Sequence, residues 1–557
     1  MEQAEDKLSI LPKFILHNIL SRLPEEDAYR TSVLSKAWLE TWYTFPILCF
    51  YNIELITESK SKDLIEYVKS RLLRFWEQRL AIKEFNFSII DILGCMSNDF
   101  DLCLKLVSES GVEVLDVCFP KYSSMISQDE KGRRGECYYV LPKGVIEIKS
   151  LTKLVLEGGI RVDEALRNHS IKFFSLRELH LLEVVLKDGQ AIECLISCCP
   201  LIEVITLMLL SGSMKSLSMR GLKKLKTVYV DGIKEVYIDE ANSSLKSLYY
   251  CHDYMSIPIF KIEFIQCCKF LKELLLSLYD TTIITEKWFL EILPKFPFLE
   301  TLEIWNCILS ETINISSVQL KYLRVSDCSN LKVANIDAPN LLTCNFKGFN
   351  GSKPIISFLN NISTQLQLCL SISIYDFDIF YVRELLQNIK PQNVFISLFL
   401  SISCSEGAPR PVFLDIPSPP PSIKHLDLDI EIHSEINETL YSEILQIFYF
   451  CVSYLNIYLG ITWKPNNSLR YVCHLFSHPF NMNCKRLSLI SNFFFNCLKL
   501  QFFFETLRRK KDVTKCCWRD LKEAKVQVTR FIINDGTMLK SLPNYSTRGN
   551  IIFMKDM

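Results

Sequence analysis

The apolar positions of this chain follow a helical period at the start and a strand-and-return period for most of the remainder. Between Asp6 and Phe50, the residues Ile15, Leu16, Ile19, Leu20 and Leu23 recur at helical spacing and form one stripe. Pro12 stands where a helix should begin, with its missing N–H tolerated and its φ already set. Pro24 stops that helix, and Glu25, Glu26 and Asp27 place acid at the next helix start, where the dipole favours it. Ser35 is the expected N-cap of a third short helix, which puts Trp38 and Trp42 one turn apart on a single face. A segment of about 45 residues is below the size at which one core usually suffices. Part of its apolar surface is therefore expected to dock elsewhere, either on the rest of this chain or on a partner.

Residues 53–100 read as a mostly helical connector. Within it, Asp63–Leu80 carries Leu64, Ile65, Val68, Leu72, Phe75 and Trp76 on one face. From residue 101 the chain becomes repetitive. Leu151-x-x-Leu154-x-Leu156 returns as Leu176-x-x-Leu179-x-Leu181, Leu245-x-x-Leu248-x-Tyr250 and Leu271-x-x-Leu274-x-Leu276. Leu299-x-x-Leu302-x-Ile304 and Leu320-x-x-Leu323-x-Val325 follow. Weaker copies are Leu201 with Val204, Leu222 with Leu225, and Leu341 with Cys344 and Phe346, while Val112-x-x-Leu115-x-Val117 is an earlier unit. Counted from Leu151, successive units start about 21 to 28 residues apart. That period and core pattern are the signature of leucine-rich repeats, in which each unit gives one short strand and a return segment. A single unit cannot bury its apolar side, but a stack buries a continuous ladder. Side chains alternate along each strand, so Leu154 and Leu156 point inward while Lys153, Val155 and Glu157 point out.

The same alternation places Glu178, His180, Tyr249, Glu273, Glu303, Trp305, Tyr322 and Arg324 on the outward face. Tyr249, Glu303, Trp305, Tyr322 and Arg324 are the candidate target-binding residues, because exposed Trp and Tyr beside an Arg is the composition of a binding hot spot. Asn306-Cys307 and Asp327-Cys328 follow their strands, where a polar residue and a thiol are expected to satisfy turn backbone groups. Ser405–Ser422 is Pro-rich and reads as a loop or stiff linker, after which Ile423-x-x-Leu426-x-Leu428 resumes a strand. Near the C-terminus, Leu521, Ala524, Val526 and Val528 read as a strand anchored by Trp518 that caps the last repeat. Residues 492–504 fit no part of this pattern.

The opening stretch closely resembles the F-box in its plant form. The resemblance rests on Leu11-Pro12-x-x-Ile15-Leu16-x-x-Ile19-Leu20-x-x-Leu23-Pro24, followed by Arg30-Thr31-Ser32-Val33-Leu34-Ser35-Lys36-x-Trp38. Ala37 departs from the pattern, at a place where the plant form usually has a basic residue. The tail Cys516–Val526 resembles the FBD region that accompanies plant F-box/LRR proteins. The fold implied is α+β: an N-terminal three-helix F-box at 6–52, the connector at 53–100, a leucine-rich-repeat α/β solenoid or horseshoe at 101–430, and an FBD-like capping region at 431–557. The resemblance implies a module that binds the Skp-type adaptor of a cullin-based (SCF) ubiquitin ligase, with Leu11, Pro12, Ile15, Ile19, Leu20, Pro24, Val33, Leu34 and Trp38 as adaptor-contacting positions. Some of these must instead hold the three helices together. The function expected is substrate recognition for such a ligase, with the repeat face binding a target protein; the alternative is a protein-interaction scaffold not coupled to ubiquitination.

Composition narrows the classes further. Lys plus Arg equals Asp plus Glu at 63 each, which gives no argument for a nucleic-acid partner. No apolar run reaches the length of a membrane span. The 22 cysteines include no C-x-x-C, and the charged Met1–Lys7 does not read as a signal peptide, so small buried hydrophobes in a reducing nucleus or cytoplasm are expected. His474 and His478, with Cys473 and Cys484 nearby, have metal-ligand types, but Pro479 follows at once and ordinary histidines are expected. Arg508–Lys511 is either a solvated basic face or an import patch. Phosphate-binding, nucleophile-elbow and zinc-protease motifs do not occur, nor does a ring-type Cys/His array that would transfer ubiquitin. No cofactor and no intrinsic enzyme are therefore expected.

Overall fold

The structure is a computed structural model. It describes residues 11–23, 25–50, 58–89, 97–119, 138–162, 171, 173–185, 190–209, 216–233, 235–238, 244–251, 268–278, 283–291, 293–348, 354–359, 366–374, 395–402, 422–432, 451–463, 523–533 and 550–554. The chain divides into two units, Met1–Leu278 and Tyr279–Met557.

The first unit opens with three short helices, α1 (Lys13–Leu20), α2 (Glu25–Thr31) and α3 (Lys36–Tyr43). A parallel ladder follows, through the strands Ile47–Phe50, Glu84–Ser88, Val114–Phe119, Lys153–Gly158, Glu178–Val184, Val204–Leu209, Thr227–Asp231, Ser247–Cys251 and Glu273–Ser277. Each strand pairs with the next in sequence order, as a stack of similar units requires. Leu154, Leu179, Leu248 and Leu274 lie in register and are buried, and each adds about 1.5–3 kcal/mol over an exposed position.

The ladder begins earlier than the leucine pattern indicates. Phe45-x-x-Leu48-x-Phe50 and Ile82-x-x-Phe85-x-Phe87 keep the repeat spacing with aromatic and β-branched residues in leucine places, and all six are buried. Residues 53–100 are therefore not simply a helical connector. They supply α4 (Glu58–Glu77), a second rung of the sheet and the start of α5 (Ser97–Glu109). α4 buries Ile65, Val68, Leu72 and Phe75 as expected, but Trp76 is 52% exposed and its Nε1 donates to Glu109 at 3.1 Å. Adjacent helical residues lie about 100° apart, so Phe75 and Trp76 cannot both face the core.

Two weak repeats take a different register from the one read in sequence. The buried sets are Ile202, Ile205 and Leu207, and then Leu225, Val228 and Val230. Val204 instead falls on the outward face, and Leu222 lies in the turn before its strand.

The second unit carries a parallel run through Thr301–Trp305, Tyr322–Cys328, Thr343–Gly348, Gln367–Ile374, Phe395–Ile402, Ser422–Ile432, Cys451–Trp463 and Glu523–Ile533. Asn550–Met554 pairs antiparallel with the last of these. The tail strand thus continues the ladder; Trp518, expected to anchor it, and Leu521, expected at its start, lie outside the described residues, as do residues 492–504, His474, His478 and Arg508–Lys511. Part of the return layer here is itself a parallel sheet, Thr312–Ser316, Val333–Asp337 and Ile355–Phe358. Asn335 Nδ2 donates to Asn314 Oδ1 at 2.8 Å along it.

Asn306, just after its strand, and Asp327, inside its strand where the register shifts between Ser326 and Cys328, have φ of 50° and 54°. Asn and Asp tolerate this left-handed region better than most residues. The thiols beside them play the part expected from sequence: Cys307 Sγ donates to the Trp305 carbonyl at 3.0 Å.

Candidate partner-binding surfaces

Local sequence builds the first surface. Pro12 occupies the N-cap position of α1 rather than its first turn, with φ −56° and ψ 143°. Ser35 is extended, at φ −164°, and its Oγ accepts from the Trp38 N–H at 3.3 Å, which caps α3. Helix α1 ends at Leu20, so Leu23 leaves the stripe and is exposed in the following turn. The core of the three helices is Leu16, Leu20, Ala28, Trp38 and Phe45, with Leu11, Ile19, Trp42 and Ile47 packed partly against it.

This packing divides the nine expected adaptor-contacting residues. Leu20 and Trp38 are only 1% and 3% exposed, so they hold the helices together and present no outward surface. With so few residues available, the large indole and the last leucine of α1 are drawn to the centre. Leu11, Ile15 and Ile19 are half-buried, and Pro12 is exposed. Val33 and Leu34, in the turn between α2 and α3, are 83% and 63% exposed. Pro24 lies outside the described residues. Phe14 and Tyr29 are also largely exposed, although neither was singled out from sequence. The signal for Phe14 was available: it is an apolar residue one place off the buried stripe.

His17 completes the segment from inside. Its Nε2 lies 3.3 Å from Thr44 Oγ1, its ring meets Phe45 edge-on, and burial lowers its pKa below the ordinary histidine value.

The second surface is the outward face of the ladder, which the two units carry separately. In the first unit, Tyr249 sits beside Tyr229, with ring centroids 6.1 Å apart, and its hydroxyl donates to Glu273 at 2.5 Å. Farther along that face, His180 Nδ1 lies 2.9 Å from Thr206 Oγ1, and Glu178 is 3.0 Å from Lys153. In the second unit the register sets Glu303 beside Arg324 and Thr301 beside Tyr322. Arg324 lies over the Trp305 ring at 4.7 Å, and its Nε donates to Ser326 Oγ at 3.1 Å. Trp305 is thus half-buried beneath a neighbouring side chain, not free on the surface as its strand position implied. Glu303, Trp305, Tyr322 and Arg324 form one patch, and Tyr249 belongs to another. The held guanidinium suits a carboxylate better than a flexible lysine would.

Among the described residues, no group of three His, Cys, Asp or Glu side chains is placed to hold a metal ion. No described helix is long and apolar enough to cross a membrane.

Three helices with a solvent-facing apolar turn, followed by a parallel ladder of leucine-rich units, define an F-box protein with leucine-rich repeats. Comparison with known families agrees. Residues 8–50 match the F-box domain, 131–269 match the LRR repeats of the FBD-associated F-box protein At5g56370, and 235–412 match the LRR domain of At1g61320/AtMIF1. The F-box/LRR-repeat protein At1g55660 of Arabidopsis thaliana is 28% identical over 238 residues, 41% of this chain and 61% of that protein. The F-box/FBD/LRR-repeat protein At1g13570 of Arabidopsis thaliana is 27% identical over 243 residues, 43% of this chain and 52% of that protein. The FBD-associated F-box protein At5g56370 from the same plant is 29% identical over 204 residues, 36% of this chain and 43% of that protein. The chain therefore spans roughly two-fifths to three-fifths of the length of these relatives. Its F-box and leucine-rich-repeat regions are thus similar to those of plant F-box/LRR-repeat proteins, some of them FBD-bearing.

Proposed function

We propose that the protein is the substrate-recognition subunit of an SCF-type ubiquitin ligase. Its F-box takes up a Skp-type adaptor, which joins it to a cullin scaffold, and the outward ladder face holds a protein target. The chain performs no chemistry of its own. It works by proximity, turning an encounter between target and charged ubiquitin carrier into a nearly intramolecular one.

The observation that carries this reading is the Val33–Leu34 turn. Two adjacent aliphatic side chains stay in water although a formed core lies beneath them. An apolar patch kept outside a completed core marks a surface for protein contact. On the ladder, the Trp305–Arg324 patch supplies the aromatic and arginine anchors typical of hot spots, and its guanidinium favours an acidic segment of the target.

The test is affinity capture of the full chain with the proteasome blocked. The wild-type chain is expected to recover adaptor, cullin and ubiquitinated targets. Val33→Asp should lose adaptor and cullin while keeping targets; Trp305→Ala with Arg324→Ala should do the reverse. Undiminished adaptor recovery with Val33→Asp defeats the ligase reading and leaves an interaction scaffold in its place.

A further inference from the structure

A cleft of about 620 Å³ lies between the three-helix segment and the first rungs of the ladder, walled by Leu23, Trp42, Phe50 and Tyr67 and reached by Arg71 and Glu84. Its size is within the range of small-molecule sites, and its lining sets apolar side chains beside nearly as much polar surface, as an amphipathic ligand would need. Arg71, on α4, is 93% removed from solvent. Its guanidinium stands 5.1 Å from the centre of the Trp42 ring and 5.8 Å from that of Tyr43. Nη2 donates to the Trp42 carbonyl at 3.2 Å, but Nη1 is buried and has no acceptor. No described carboxylate makes an ion pair with Arg71. Glu84 lines the same cleft, but its Oε1 accepts from Asn86 Nδ2 at 2.8 Å. Arg74 stands over Tyr43 at 3.9 Å and adds a second positive charge nearby.

A buried cation without an anion is unfavourable by itself, and ring contacts offset only part of that. The geometry points to a binding site for a small amphipathic carboxylate, its head on Arg71 and its apolar body along Leu23, Trp42 and Phe50. Nη1 is screened from water, so taking up the anion entails a small outward turn of the guanidinium over the two rings that carry it. The Glu84 carboxylate repels a second anion and so orients the head toward Arg71. The cleft takes in Leu23 and Tyr29 of the three-helix segment but includes neither the Val33–Leu34 turn nor the Trp305–Arg324 patch.

Sodium octanoate is the probe, with octanamide as its uncharged counterpart, titrated into the full chain by calorimetry with thermal unfolding in parallel. Octanoate should bind at least about 10-fold more tightly than octanamide and raise the unfolding temperature. Arg71→Met should remove that preference. Leu23→Trp fills the cleft from an exposed position without replacing the guanidinium, and it decides the matter if Arg71→Met does not fold: it should abolish octanoate binding. Equal affinity for acid and amide, no binding of octanoate, or undiminished octanoate binding by Leu23→Trp would overturn the assignment.

Discussion

Leu34→Asp and Leu20→Ala alter two residues that the sequence motif treats alike and the structure treats oppositely. Leu34 keeps 63% of its surface in water. Covering roughly 110 Å² of apolar surface at about 25 cal/mol per Å² is worth about 3 kcal/mol, or on the order of 100-fold in Kd. An aspartate there forgoes this and adds a desolvated charge at the interface, while the free protein loses almost nothing, since exposed substitutions usually stay within about 0.5 kcal/mol. Leu20 is 1% exposed within the three-helix core. Truncating it to alanine should destabilise that segment by about 2–5 kcal/mol through lost burial and the cavity left behind. The assay pairs adaptor affinity, measured on an immobilised Skp-type protein, with hydrogen exchange over residues 11–50. Leu34→Asp should abolish measurable binding with native exchange; Leu20→Ala should raise exchange through α1–α3 and weaken binding only as far as the segment unfolds. If Leu34→Asp binds within about 3-fold of wild type, or exchanges like Leu20→Ala, the division into inner and outer residues is wrong.

Three further outcomes follow from other parts of the structure. Glu183 is exposed and has φ of 55° where the strand register shifts, so Glu183→Gly should stabilise the first unit by about 0.5–1 kcal/mol in urea unfolding. Burial lowers the pKa of His17 in the folded state; the stability this implies is present above the unfolded value of 6.5 and is lost as pH falls from there through the folded pKa. Hydrogen exchange of α1–α3 should therefore rise as pH drops below about 6.5, after correction for intrinsic rates, and His17→Gln should flatten that rise. Finally, Cys194 is exposed, whereas burial pushes the thiols of Cys103 and Cys199 up to about 12. Brief iodoacetamide treatment of the native chain should label Cys194 and leave Cys103 and Cys199 unmodified until denaturant is added, as peptide mass mapping would show.

What the sequence determined by itself was the part that local chemistry decides. The cap at Ser35, the apolar face of α4 and the inward leucines of the strong repeats all follow from spacing and from which backbone groups a neighbouring side chain can reach. The placement of Glu303 and Arg324 on one outward row follows in the same way, because strand alternation admits only two faces. Tertiary structure decided the rest. A helical stripe shows that Leu11, Ile19, Leu20 and Trp38 share apolar character, but only packing shows that Leu20 and Trp38 fill the centre and that Leu34 stays outside. The first two rungs were hidden because phenylalanine fills leucine places, and a ladder selects for buried volume rather than for one residue type. The registers near Ile202 and Leu225 depend on the pairing of neighbouring strands, which a weak local pattern cannot fix. Arg324 over Trp305, and Arg71 with no ion pair among the described residues, arise between segments far apart in the chain or on separate strands; their energetics depend on burial, which exists only once the chain has folded.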